Sequence, residues 1–165
     1  MRIAGLVQDS IVDGPGFRYV VFTQGCRFDC EGCHNPDTRD IGGGVEMSAE
    51  EIINDMLSNP LTDGLTLSGG EPFDQVASCV SLAAAARENG LNVWIFTGMT
   101  FEELRCQSEE CLDTKRLLEL TDVLVDGRFI LKERTLNIKW CGSKNQRVID
   151  VQKSLSMKRG ELCLV

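Results

Sequence analysis

Apolar positions along this chain alternate between short dense runs and the three-to-four spacing of amphipathic helices. Residues 2–7 alternate little and predict a short first strand or a sheet edge. Val12-Asp-Gly-Pro-Gly16 is a turn by composition, with glycines suited to positive φ and a proline that fixes its own φ. Phe17-Arg-Tyr-Val-Val-Phe22, rich in aromatic and β-branched residues, predicts a buried strand. Ile41-Gly-Gly-Gly44 predicts a flexible connector. Ser48-Ala-Glu-Glu51 has the form of a capping box, and Ile52, Ile53, Met56 and Leu57 follow it at helical spacing. Leu65-Thr-Leu-Ser-Gly-Gly70 predicts a strand ending in a glycine turn. Gln75–Asn89 predicts an alanine-rich helix closed by Gly90. Leu91–Phe96 predicts a further strand. A second capping box, Thr100-Phe-Glu-Glu103, opens a helical stretch toward Leu120 that is less regular around Cys106 to Cys111. Asp122–Asp126 is another strand, and Leu136–Trp140 and Arg147–Val151 leave room for one or two more.

Strands alternating with helices predict a mostly parallel sheet with right-handed crossovers. A full eight-fold barrel needs about 250 residues. At 165 residues the chain suits one α/β domain over 1–165, a partial (βα) barrel open on one side. The net charge of −8, from 25 acidic against 17 basic residues, argues against nucleic-acid and anionic-membrane partners. No stretch approaches the ~20 apolar residues of a membrane span. The N-terminus runs into Gln8-Asp9 too soon for a signal peptide, so a cytoplasmic protein is expected. Thiols stay reduced there, and the eight cysteines read as metal ligands plus bystanders.

The candidate chemistry centres on Cys26-Arg-Phe-Asp-Cys30-Glu-Gly-Cys33, three thiols on one loop at a predicted strand end. Structural zinc sites close with four ligands, as do ordinary iron–sulfur clusters. Three cysteines holding a 4Fe-4S cube leave one iron free for a substrate. The alternatives are a zinc site completed by His34 or Cys141, or a ferredoxin-like module. Ser68-Gly-Gly-Glu-Pro72 sits at another predicted strand end. Adjacent glycines let a ligand approach the backbone, and carbonyls plus Glu71 can accept from an ammonium; alone, the motif also fits a plain glycine turn. His34, the only histidine, fits loop packing as well as a chemical role. Asp13 fits either a contact with an incoming backbone or an Asx-turn serving itself.

These motifs occur with Val12-Asp-Gly-Pro-Gly-Phe-Arg18, Tyr19-Val-Val-Phe-Thr-Gln-Gly25, His34-Asn-Pro-Asp-Thr38, Leu124-Val-Asp-Gly127 and Trp140-Cys-Gly-Ser-Lys-Asn-Gln-Arg147. From about residue 10 to about residue 150 the chain thereby resembles the radical S-adenosylmethionine (SAM) proteins that activate glycyl-radical enzymes, most closely the branch acting on anaerobic ribonucleotide reductase. The resemblance implies the partial barrel and one 4Fe-4S cluster on Cys26, Cys30 and Cys33, with SAM chelating the open iron. It places the SAM amino group at Ser68, Gly69, Gly70 and Glu71, the adenine beside Gly32, Cys33 and His34, and Thr97-Gly98 nearby. It further implies reductive cleavage of SAM to methionine and a 5′-deoxyadenosyl radical, which takes a hydrogen atom from a glycine. Asp13 and Gly14 would meet the glycyl-radical loop of the reductase large subunit, and an electron donor such as reduced flavodoxin would serve the cluster. Pyruvate formate-lyase is the alternative partner. The chain departs from that branch at Cys141, where Arg is often found, so no role for a cation carries over. Cys79, Cys106, Cys111, Cys141 and Cys163 read as small core residues or exposed thiols. Gly142–Arg147 marks the branch without a derived role.

Overall fold

The computed structural model describes all residues, 1–165. Its strands are β1 (Arg2–Ser10), β2 (Arg18–Thr23), β3 (Val45–Glu46), β4 (Gly64–Gly69), β5 (Asn92–Phe96), β6 (Val123–Asp126) and β7 (Arg147–Asp150). They form one open sheet in the order β3-β1-β2-β4-β5-β6-β7. The central four are parallel, whereas β1 and β7 run antiparallel to β2 and β6. The mixed α/β class and the largely parallel sheet agree with the sequence pattern, and the sheet does not close.

The one-way order of the parallel strands decides where the helices go. Crossovers of one hand in that order lay every helix on the same face. The helices are α1 (Ala49–Ser58), α2 (Val76–Glu88), α3 (Phe101–Gln107), α4 (Leu112–Leu120) and α5 (Val151–Ser156), and α1–α2, α2–α4 and α4–α5 pack side by side. Period-two alternation then sorts the strand side chains. Tyr19, Val21, Leu65, Leu67, Val93, Ile95 and Leu124 join Ile52, Leu82, Leu104 and Leu117 from the helices in the main core. Arg18, Thr66, Ser68, Trp94, Phe96 and Val125 alternate with these strand residues and so face the other way. There Trp94, Val125 and Cys141 form a second small core with Trp140 and Val148.

Both capping boxes form: Glu51 N–H donates to Ser48 Oγ at 3.1 Å and Ser48 N–H to Glu51 at 2.9 Å, and Thr100 with Glu103 repeats the pattern. Gly90 follows α2 at φ +76°. The stretch from Thr100 is divided where the sequence weakens, into α3 and α4. Two expectations need correcting. The first strand extends to Ser10, because it pairs along β2 as a hairpin. The glycine connector lies outside the sheet as expected and leads into the unforeseen β3, which pairs with the start of β1. Leu136–Trp140 is no strand, since Trp140 sits at φ 63°, outside extended backbone. No helix is long and apolar enough to cross a membrane.

Arg18 closes the lower, N-terminal end of the helix-free face. It is fully buried, donating from Nε to Thr66 Oγ1 at 3.0 Å and from Nη2 to the Leu65 carbonyl at 2.6 Å. Burial lowers its pKa to about 10, against the opposing pull of Asp63.

Candidate functional site

The upper end of the same face carries the chemistry, because the loops after parallel strands open there. The cysteine loop leaves β2 and folds back on itself. Gly25 N–H donates to the Thr38 carbonyl at 2.8 Å and Cys26 N–H to the Arg39 carbonyl at 3.2 Å. The loop after β4 docks on it, with Gly70 N–H donating to the Thr23 carbonyl at 2.8 Å and Glu71 N–H to the Gly25 carbonyl at 2.9 Å. Only glycine fits at position 70, since a Cβ there would collide with the Gly25 carbonyl. Ion pairs Arg27–Asp74 and Arg39–Asp29 bind the outside of the loop.

A cavity of about 700 Å³ runs beneath these loops, lined by Cys26, Cys30, Cys33, His34, Ser68, Gly69, Gly70, Glu71 and Thr97, and by Asp13. Ten expected site residues thus face one space. Gly32 and Gly14 stand behind it. Gly32 packs on Leu131, where a Cβ would approach Cδ1 to 3.0 Å, and Gly14 lies against Arg18 and Trp94. The cavity's apolar wall was not foreseen: Phe22, Phe28, Phe96, Phe129 and Trp140. Alternation along β2 and β5 carried a signal for Phe22 and Phe96, which belong to the face opposite Val21 and Ile95. Phe129 and Trp140 lie in irregular chain with no such signal.

Cys26, Cys30 and Cys33 line this common cavity together with His34 and Cys141. No three of the chain's cysteine, histidine or carboxylate side chains are drawn around a single point. Burial raises the thiol pKa of Cys26 and of Cys30, so loading a metal centre releases protons. All eight cysteines are free thiols.

Glu71 behaves differently from expectation. Its side chain has no exposed surface. Thr97 Oγ1 lies 2.8 and 2.9 Å from its two oxygens, Gly98 N–H donates at 2.9 Å and Phe73 N–H at 3.1 Å. The carboxylate is committed to fastening the β5 loop to the β4 loop, instead of offering itself to an ammonium. Burial raises its pKa from 4.5 to about 7, against the lowering effect of those donors. His34 packs on Phe129 with the rings tilted by 47° and 4.5 Å between centroids, and a Cβ at position 142 would come within 2.6 Å of its Cε1.

The turn holding Asp13 lies at the opposite end of β2 from the cysteines, because β1 and β2 form a hairpin whose turn falls at the start of β2. It reaches the shared cavity by folding beneath the face, where Thr66 Oγ1 donates to the Asp13 carbonyl at 2.9 Å. The Asp13 carboxylate accepts the Ser10 hydroxyl at 2.5 Å.

Residues 127–146 form a strap across the cavity, and the Gly142–Arg147 motif now has a physical role. Gln146 accepts from Gly142 N–H at 2.8 Å and donates to the Gly127 carbonyl at 2.9 Å, while Asn145 donates to the Arg128 carbonyl at 2.8 Å. Arg147 closes the base, donating to buried Asp126 at 3.0 and 2.5 Å and to Glu102 at 3.1 and 2.7 Å. Those carboxylates raise its pKa.

Residues 12–149 match the family model described as a 4Fe-4S single cluster domain. The anaerobic ribonucleoside-triphosphate reductase-activating protein of Escherichia coli K12 is 33% identical over 146 residues, covering 84% of this chain and 91% of that protein. The protein of the same description from Enterobacteria phage T4 is 35% identical, covering 83% of this chain and 86% of its own. The pyruvate formate-lyase-activating enzyme of Listeria monocytogenes is 35% identical over 155 residues, 90% of this chain and 61% of that enzyme.

Proposed function

Because the chain belongs to the 4Fe-4S single cluster domain family, among the activating enzymes of glycyl-radical proteins, we propose that it cleaves SAM reductively and installs the glycyl radical of an anaerobic ribonucleotide reductase. The observation carrying this reading is the convergence of the three cysteines, the Ser68–Glu71 loop and Thr97 on one cavity at the ends of parallel strands. The open sheet is read as the partial barrel of radical SAM enzymes, in one domain over 1–165 of a cytoplasmic protein. Cys26, Cys30 and Cys33 would hold the cluster, which supplies one electron at low potential when bound.

The chain's own residues orient and shelter the reactants. Ser68, Gly69 and Gly70 offer backbone to the amino end of SAM, and Glu71 holds Thr97-Gly98 against them. Cys33 and His34, backed by Gly32 on Leu131, flank the adenine. One electron added to SAM breaks a sulfonium–carbon bond, giving methionine and the 5′-deoxyadenosyl radical. That radical takes a hydrogen atom from the partner's glycine, giving 5′-deoxyadenosine and the glycyl radical. Phe22, Phe28, Phe96, Phe129 and Trp140 keep water from the path. Asp13 and Gly14 meet the glycine loop from below, and an electron donor such as reduced flavodoxin approaches outside the cysteine loop.

A pyruvate formate-lyase partner is the second reading, favoured by the Listeria enzyme, but the chain spans only 61% of that enzyme's length against 91% of the Escherichia coli reductase activator. The test is anaerobic reconstitution followed by reduction with dithionite in the presence of SAM. About four irons per chain, 5′-deoxyadenosine as product and a glycyl radical on the reductase are expected. Stoichiometric zinc without iron uptake would overturn the reading.

A further inference from the structure

The charge of this protein is divided unevenly. Within 128–147 stand six cations, Arg128, Lys132, Arg134, Lys139, Lys144 and Arg147, against Glu133 alone; the remaining 11 basic and 24 acidic residues make the rest strongly negative. Arg147 is consumed by Asp126 and Glu102. The other five are exposed and none forms an ion pair with a carboxylate, although Arg128 lies over the Phe28 ring at 4.5 Å and Lys139 over the Trp140 ring at 4.3 Å. The cations are interleaved with aliphatic side chains turned to solvent: Leu136 is 88% exposed, and Ile130, Leu131 and Ile138 are about 40% exposed. Leu136 and Val12, the latter 74% exposed, both line the cavity.

Isolated exposed aliphatic residues are ordinary, but a group of them on a cavity rim marks a surface that another chain covers. Two features choose between occupants. Aliphatic residues on the rim favour a polypeptide with apolar side chains, and five cations without a carboxylate partner favour one that is acidic. Phosphate-bearing ligands would use the cations and leave the aliphatic residues without a partner. We infer that the strap 128–144 is the docking surface for an acidic segment of the partner protein, which feeds its glycine between Val12 and Leu136 into the cavity. The inference rests on the activase reading for the presence of that glycine; charge and apolar pattern supply the rest. Electrostatic complementarity of this kind acts mainly on association and falls with salt.

The probe is a fluorescein-labelled peptide with leucines on both sides of a glycine and a run of glutamates at one end, titrated with the reconstituted holoenzyme by anisotropy. Its counterpart carries lysines in place of the glutamates. The acidic peptide should bind, more weakly as salt rises, and the lysine peptide should not. Arg134→Glu/Lys139→Glu should lower affinity for the acidic peptide about tenfold while dithionite-driven SAM cleavage without partner stays unchanged. Leu136→Asp should weaken the same peptide. Equal binding of both peptides, undiminished binding by the double variant, or tighter binding of a single-stranded oligonucleotide than of the acidic peptide would overturn the inference. Wild-type holoenzyme that binds the acidic peptide yet cleaves no SAM would refute the proposed chemistry and leave the docking surface standing.

Discussion

Replacing Glu71 with Gln separates what this side chain does for the fold from what it does for the ligand. Because the folded protein holds the Glu71 proton more tightly than the unfolded chain, its contribution to stability is full below about pH 4.5 and falls as the pH rises through about 7. A tenfold change in proton affinity corresponds to about 1.4 kcal/mol, so about 3 kcal/mol is lost across that window. Glutamine has the shape and neutrality of the protonated acid and does not titrate. Urea unfolding of the reduced, metal-free protein should therefore find wild type and Glu71→Gln similar near pH 5, and the variant more stable by about 1–3 kcal/mol at pH 8. The binding site should respond in the opposite sense. The amide nitrogen presents hydrogens where the carboxylate accepted them, and one donor among Phe73 N–H, Gly98 N–H and Thr97 Oγ1 must move. Equilibrium binding of SAM to the reconstituted variant should weaken about tenfold. A wild-type stability that is flat between pH 5 and 8, or a variant that loses stability at pH 8, would refute the burial argument.

Single replacement of Cys26, Cys30 or Cys33 by Ala should abolish cluster-dependent SAM cleavage, read as 5′-deoxyadenosine, while Cys79→Ala and Cys163→Ala leave iron content unchanged. Gly70→Ala should prevent stable cluster assembly, measured as iron bound after reconstitution, because the added Cβ meets the Gly25 carbonyl that positions the cysteine loop. Asp126→Asn should cost about 2–4 kcal/mol in chemical unfolding, since buried Asp126 accepts from both Phe101 N–H and Arg147; Trp140 fluorescence should report the loosened strap. Asp13→Ala should leave uncoupled SAM cleavage near normal and strongly reduce glycyl-radical yield by paramagnetic resonance; a loss of both would assign Asp13 to the cofactor site.

What could be read from the sequence was local, and what could not depended on distant partners. Ser48 with Glu51, and Thr100 with Glu103, lie within one helical turn of each other, so their capping hydrogen bonds are implied by spacing alone. The cysteines and the two-glycine motif were legible because strand ends collect in one place once a parallel sheet is inferred. The location of Asp13 was not, because it depends on β1 running antiparallel to β2 and carrying the turn to the far end. Leu136-Asn-Ile-Lys-Trp140 alternates like a strand, yet Gln146 gathers the backbone groups of Gly142 and Gly127 and draws the segment into a loop. The sequence pointed Glu71 toward a ligand, but two of its donors, Thr97 Oγ1 and Gly98 N–H, come from the distant loop after β5 and the third from Phe73 beside it. Only the folded arrangement reveals that its carboxylate faces inward.

The pairing of Asp126 with Arg147 in the β6–β7 ladder gives the strap a common stem. A loop whose two feet are adjacent in a sheet leaves and re-enters the fold at one place, so its ends stay together whatever its length, although Phe129, Trp140 and Cys141 anchor it on His34, Trp94 and the second small core. Doubling such a loop costs only about 0.6 kcal/mol in closure entropy. Its exposed stretch around Leu136 is therefore open to change, whereas Phe129, Trp140 and Cys141, like the cysteine loop stitched to its neighbouring turns, are not. Grafting 127–146 from one activator onto another at this stem is a direct way to ask whether partner choice travels with the loop.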